Sequence, residues 1–458
     1  MSRKLILILF PLFIAVPSIA PATNGYFTHG NSIKDKALAG AGVASSQDTL
    51  AAGNNPAGMV FQGGGYDIGA AVFNPNRSYS ADGISLAPNT PLPPGCPPQC
   101  PFSIGDGDQS VDSESEFFLI PQFGYNWVIS DAATVGVSVF GHGGMNTDYR
   151  DGSATIPAPP PTGPGTMFEA DGTFGAGNAG VDLAQLFVST TYARKFSKTA
   201  SWGASLILAY QQFEAKGLEN FGNFGFSNDP ENLTNNGKDT GTGLGIRLGI
   251  QGEVAPGVRL GAAYQPEIDM SEFDDYSGLF AEEGDFDIPS NYTVGLAWDV
   301  TDTGTLFVDV QQINYSDVPA VSNSIDPLFE LCAQGDSDGC LGGSDGAGFG
   351  WEDMTIVKLG YQWRAGGGWT WRFGYSQGDQ PIPGDEVLFN ILAPGVMEEH
   401  FTTGFTKMLG GGELNFAFMY APSNSVTGDN RLDGDQGNQE IELEMDQFEL
   451  SLGYGRRF

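Results

Sequence analysis

Gln447-Phe448-Glu449-Leu450-Ser451-Leu452-Gly453-Tyr454-Gly455-Arg456-Arg457-Phe458 closes the chain, and its reading decides the fold. Phe448, Leu450, Leu452, Tyr454 and Phe458 alternate with Gln447, Glu449, Ser451, Gly453 and Gly455. One face is apolar and aromatic, the other small or polar. A period of two marks an extended strand between two different environments. Working back toward the N-terminus, the same pattern recurs, giving fourteen segments in all. Tyr66, Ile68, Ala70 and Val72 form the first, and Leu244, Ile246, Leu248 and Ile250 the sixth. Trp369, Trp371, Phe373 and Tyr375 form the eleventh. The twelfth, near residues 396–408, is the least regular.

The connections alternate in length. Short ones include Ala255-Pro256-Gly257 and Gly410-Gly411-Gly412; long ones include 81–113, 150–180, 317–351 and 422–439. Segments of about ten alternating residues, joined by short turns on one side and long loops on the other, are the signature of an outer-membrane barrel. Aromatic residues gather at segment ends, where an interfacial girdle lies. The expected fold is all-β, a 14-stranded antiparallel transmembrane β-barrel with both termini on the short-turn side.

Composition agrees. The chain has 458 residues, 66 of them Gly. Its mean hydropathy is −0.15. No internal apolar run reaches helical-span length, which excludes a bundle of transmembrane helices but not a barrel with a polar bore. Arg3 and Lys4 precede an apolar run from Leu5 to Ala15, and Ala20-Pro21-Ala22 supplies a small-x-small site. Residues 1–22 read as a signal peptide, with 23–64 and 65–458 as the two parts of the mature chain. Loss of two cations takes the formal charge from −35 to −37. The acids sit mainly in the long connections, where they stay solvated and repel polyanions, so nucleic acid is not an expected partner. No metal-ligand spacing, phosphate loop or nucleophile elbow appears, and neither a cofactor nor catalysis is expected. Cys96 with Cys100, and Cys332 with Cys340, are close pairs in long loops; in an exported chain they read as local disulfides, with a metal site the alternative.

Residues 23–64 do not alternate. Asp35 to Ala52 is rich in Ala, Gly and small polar residues, and Asn55-Pro56-Ala57 breaks the chain. A fourteen-stranded bore is wider than its own side chains fill, so this segment reads either as a plug or as a periplasmic tail; apolar anchors such as Tyr26, Phe27 and Leu50 favour the plug.

The inward positions divide the wall. Later strands present Arg247, Gln251, Arg259, Gln265, Asp309, Gln311 and Arg372. The first five present Phe73, Phe118, Ile120, Phe140, Phe187 and Ile207, which call for something apolar in the bore. The plug alone, or the plug with a lipophilic ligand, meets that need. In the third strand Gly141-His142-Gly143-Gly144 permits a bulge, or simply a slack end near the rim. Leu218, Phe221, Phe224 and Phe226 in one loop, and Tyr276, Leu279 and Phe280 in another, form apolar groups that bind a partner or pack on each other.

The sequence also resembles a known family. Gly25-Tyr26-Phe27, Ala39-Gly40-Ala41-Gly42, Asn55-Pro56-Ala57, the Trp371–Tyr375 strand followed by Pro381-Ile382-Pro383, and the terminal Phe458 together resemble FadL-type outer-membrane transporters. The resemblance spans essentially the whole mature chain. It implies passive uptake of long-chain fatty acids or other hydrophobic compounds, hydrocarbons and aromatics included, by a monomer in the bacterial outer membrane. It implies an external groove at the apolar loop residues and an internal pocket near Phe27 and the apolar wall. It further implies lateral exit at Gly141–Gly144 and recognition of Phe458 by the barrel-assembly machinery. The partners would be a lipophilic small molecule and outer-membrane lipid. Fatty-acid members place cations near the internal carboxylate site. Here the end of strand five reads Tyr210-Gln211-Gln212-Phe213-Glu214, with Lys216 beyond, which leaves a neutral hydrocarbon open. The alternatives are a porin for small polar solutes and a surface adhesin or structural barrel.

Overall fold

The computed structural model describes residues 24–83, 102–105, 110–157, 166–433 and 439–458. Residues 1–22, read above as a signal peptide, and the Cys96–Cys100 pair lie outside them.

Fourteen strands build the wall. They are β1 (Gly65–Asp82), β2 (Phe118–Ser130), β3 (Ala133–Asn146), β4 (Gly180–Lys195), β5 (Ala200–Phe213), β6 (Asp239–Ala255) and β7 (Val258–Gln265). They continue as β8 (Asn291–Asp299), β9 (Gly304–Ile313), β10 (Met354–Gly366), β11 (Trp369–Gly378), β12 (Glu399–Leu409), β13 (Gly412–Asp429) and β14 (Glu440–Arg457). Each pairs antiparallel with its sequence neighbour, and β1 pairs with β14 from Gly65–Arg457 to Asp82–Glu440, so the sheet closes. Closure joins the first strand to the last, so the sheet has no free end strand in lipid. The twelfth segment, irregular by sequence, forms an unbroken ladder to both neighbours.

Alternation fixes which way each side chain faces. Leu244 is 69% exposed and Leu452 57%, whereas inward Phe73 and Phe187 are 0% and 1% exposed. Trp127, Trp202, Trp298 and Trp363 stand on the outer surface near the short-turn end. Tight turns there use left-handed glycines, as at Gly257 (φ +76°), which a residue with a Cβ adopts only with strain. No helix among the described residues is long and apolar enough to cross a membrane.

β1, β13 and β14 each run 18 residues, more than the 9–11 or so a membrane-spanning strand needs. They therefore continue beyond the bilayer, and β13 runs to Asp429, into what the sequence presents as a long 422–439 connection. Above the lipid the polarity of the alternation inverts. Ile441, Leu443 and Met445 are buried inward, while Glu440, Glu442 and Glu444 face water.

Residues 24–64 pack against the inward faces of the wall. Ser32 caps a single helical turn (Ile33–Lys36), and short 3-10 turns follow at Ala51–Gly53 and Pro56–Phe61. The inward polar residues of the later strands are its anchors. Lys34 Nζ lies 2.6 Å from Glu413, and Lys36 Nζ lies 2.6 Å from Glu449. Asp309 accepts from the Gly42 and Val43 amides at 2.7 and 2.9 Å. Asn55 donates to Val43 O and Ile250 O and accepts from the Ala57 amide, while Ala57 O accepts from Ser201 Oγ. Asn55-Pro56-Ala57 is thus a joint between this segment and β5–β6, with Pro56 at the start of a turn, where its missing N–H is not needed.

Candidate functional site: an apolar cluster, a charged cavity and an external cleft

The N-terminal strip enters the site beside β3. Glycine makes this approach geometrically feasible: a Cβ at Gly143 would meet Tyr26 O at 2.9 Å. The Thr28 amide donates to His142 O, and the Gly144 amide to Tyr26 O, each at 3.0 Å. The β3–β4 register slips between Gly141 and Gly143, leaving His142 bulged. On the other side, the β2–β3 ladder ends at Gln122–Phe140, although β2 continues to Phe118 and β3 to Asn146. Residues 24–28 lie along the stretch of β3 that β2 no longer pairs. The backbone groups freed at the bulge are partly taken up by this strip.

Phe27, Phe73, Phe118, Ile120, Phe140, Phe187 and Ile207 all join one apolar cluster. The His142 ring stacks on Phe187 at 4.0 Å between centroids and meets the edge of Phe27 at 4.3 Å. Phe140 and Phe187 lie 5.9 Å apart. Rings and aliphatic groups of this kind present a surface suited to an alkyl chain or aromatic ring.

Across the strip the character reverses. A polar cavity of about 430 Å3 lies among Phe27, His29, His142, Arg247, Gln311 and Lys358. Arg247 donates to Gly53 O, to Gln265 Oε1 at 3.0 Å and to Asn291 Oδ1 at 3.2 Å. Lys358 donates to His29 O at 3.4 Å. Both cations are buried and hydrogen-bond to neutral oxygens, with Asp309 and Asp35 the acids whose charge reaches Lys358. Burial, then the charge of Lys36, holds the His29 imidazole well below its usual pKa, so it is neutral. The cavity can accept a group carrying negative charge or several acceptors. Sequence reasoning named Arg247 only as one polar lumen residue and did not single out Lys358. The available signal was parity: Lys358 is a lone inward charge between inward Ile356 and Gly360.

At the loop end, an apolar cleft of about 420 Å3 is lined by Leu218, Phe221, Leu279, Phe280, Phe349 and Phe389, among others. Phe224 and Phe226 pack beside it, Phe226 against Phe329 at 6.5 Å. Tyr276 packs edge-on against Phe213 at 4.9 Å. The β9–β10 and β11–β12 loops complete the cleft. The former carries the Cys332–Cys340 disulfide and is tied on by hydrogen bonds from Leu341 N to Phe226 O and from Asn228 N to Leu341 O. Sequence reasoning did not assign these two walls, because their apolar residues are interspersed with Gly, Ala and Asp.

The β7–β8 loop lines the cleft and carries clustered acids. Burial, then the neighbouring Asp287 charge, pushes Asp285 up to about 7; burial pushes Asp287 up to about 6, opposed by its hydrogen bond from Met270 N.

No protein-family model matches the sequence, and no curated protein matches it. Solved structures do match in fold. The Pseudomonas putida toluene transporter TodX superposes with a TM-score of 0.62 at 15% identity, covering 94% of this chain and 99% of that one. The Ralstonia pickettii toluene transporter TbuX gives a TM-score of 0.57 at 16% identity, with 94% and 99% covered. A Pseudomonas aeruginosa FadL homologue gives 0.63 at 14% identity, with 97% and 100% covered. At these identities what is shared is the architecture: a fourteen-stranded barrel matched along nearly its whole length.

Proposed function

We propose that the chain is a FadL-type outer-membrane transporter that takes up hydrophobic molecules passively. In this reading residues 1–22 are a removed leader, 23–64 a plug and 65–458 the transmembrane barrel. The observation that carries it is the division of the filled bore. Inward Phe73, Phe118, Phe140 and Phe187 of β1–β4 belong to an apolar cluster that runs on into the loops and the upper ends of β9, β10, β13 and β14, and two buried cations line a polar cavity, with Phe27 in both. A water-filled porin lines its bore with solvated polar groups. Here the inward polar residues of β6, β9 and β11 to β14 are buried against the plug instead.

The substrate is first held in the external cleft by Leu218, Phe221, Leu279 and Phe280. It passes to the pocket beside Phe27, Phe140 and Phe187 and leaves sideways where β2 and β3 part at Gly141–Gly144. Arg247 and Lys358 favour an amphipath with an acidic head group over a neutral hydrocarbon, since buried cations gain most from a carboxylate. The fold neighbours described as toluene transporters lend weight to the neutral reading. The two are separated by comparing hexadecanoate with hexadecane. In planar bilayers the purified protein should pass little ion current while binding hexadecanoate. Open-pore conductance with no lipophile binding would refute the proposal.

A further inference from the structure

We propose a separate anion-binding station at Arg77, between the external cleft and the Phe27 pocket. It would hold the acidic head group of an amphipath and the first carbons of its chain; this rests on the uptake reading above.

Arg77 points inward from β1 and is 6% exposed. It donates to Asn146 O and Ser115 O, but its Nε has no partner. Its electrostatic neighbours are the Tyr149 hydroxyl and Glu116, an exposed rim residue that forms no ion pair with it. The Phe118 ring lies 5.8 Å from the guanidinium. A buried cation satisfied only by carbonyls retains a large desolvation penalty, which a ligand carboxylate offsets. Asn146 Oδ1 is likewise buried without a partner, and an amide can turn either its acceptor or its donor end to a ligand.

Arg77 and Asn146 line a cavity of about 260 Å3 whose other walls include Met145, Trp351, Pro394 and Met445. This is a polar anchor in an otherwise apolar chamber. The station is assigned the head group and the first carbons of a chain, not a whole lipid. Two of its lining residues, Trp351 and Ala393, lie close in sequence to Phe349 and Leu392 of the external cleft, and Gly25 lies two residues from Phe27 of the polar cavity. A charged head group crossing apolar surroundings meets a barrier, and a cation midway lowers it.

Trp351 provides the readout. Full-length protein in nanodiscs is titrated with 2-bromododecanoate and with 2-bromododecan-1-ol, and quenching specific to Trp351 is obtained by difference from Trp351→Phe. Total dodecanoate binding is measured in parallel. The bromoacid should quench Trp351, and Arg77→Met should weaken that quenching at least about tenfold, the scale of one lost charge-assisted hydrogen bond. The bromoalcohol should respond much less to Arg77→Met. Ala393→Leu, which fills the chamber and keeps Arg77, should reduce quenching by both probes. Equal acid quenching in wild type and Arg77→Met, or no Trp351 quenching while dodecanoate still binds, would overturn the station alone. Absence of any dodecanoate binding would overturn it together with acid uptake.

Discussion

Replacing Lys36 by Met should unseat the plug. Lys36 and Glu449 form a 2.6 Å ion pair whose side chains are 5% and 2% exposed. Removing one member of such a pair leaves an uncompensated buried charge, at a cost of about 3–5 kcal/mol. Glu449 keeps a 2.8 Å hydrogen bond from Ser451 Oγ, which places the expected loss near the lower bound, about 3 kcal/mol. With each 1.4 kcal/mol worth a factor of ten, the seated-to-unseated ratio falls roughly a hundredfold. The Lys34–Glu413 pair, the Asp309 contacts and the Asn55 joint remain, so the barrel itself should stay folded. The assay is single-channel recording in planar bilayers: Lys36→Met should show frequent ion-conducting openings that are rare in wild type. Lys36→Met with Glu449→Leu should return toward the sealed state, because removing both members of a buried pair is nearly neutral. If Lys36→Met seals as wild type does, or if the double variant leaks as much as the single, the ion pair does not hold the plug.

Other tests address the wall, the pocket and the loops. Val at both Gly143 and Gly144 should depress lipophile uptake while heat-modifiable migration on gels stays that of a folded barrel; unchanged uptake would sink lateral exit there. Asp at both Phe140 and Phe187 should abolish retention of bound lipophile through purification, and normal retention would remove these residues from the pocket. Gly261→Val would put a Cβ 2.3 Å from Val43 O, and overpacking of about 1–3 kcal/mol should show as added conductance without loss of the fold. Asp285 and Asp287 have folded-state values raised above those of the unfolded chain, so the folded loop binds more protons between about pH 4 and 7. Their effect on loop stability is therefore most favourable at low pH and is lost as pH rises through 6 to 7, with Glu267, Asp269, Glu272 and Glu282 adding to the repulsion. Ligand exchange at the cleft should be faster at about pH 8 than at about pH 5.5, and Asp285→Asn with Asp287→Asn should flatten that dependence.

The wall was legible in the sequence because each strand meets two solvents, and lipid imposes the stronger pattern. β12 was hard to read because Thr403 and Lys407 interrupt its outward Phe401 and Phe405. The upper part of β13 was missed for a different reason. Its alternation persists, but the outward face meets water, so Ser423, Ser425, Thr427 and Asp429 stand where an apolar residue was sought. The buried-cation cavity was not legible as a site. It depends on which wall residue meets which plug residue across more than 190 positions of sequence, as with Arg247 and Gly53. Local periodicity carries no information about such pairings.

A trace of the path of residues 24–64 is nonetheless written in the wall. Inward glycines recur where plug backbone passes: a Cβ at Gly203 would meet the Pro56 carbonyl carbon at 2.4 Å, at Gly261 Val43 O at 2.3 Å, and at Gly374 the Ala39 amide at 2.4 Å. In a strand these glycines weaken the wall, so a packing demand must outweigh that penalty. An empty, water-filled bore makes no such demand, since a Cβ there would meet only solvent. A seated segment does, at just those inward positions it crosses. Glycine at these inward sites therefore marks where residues 24–64 cross the wall, and its spacing from strand to strand follows their route.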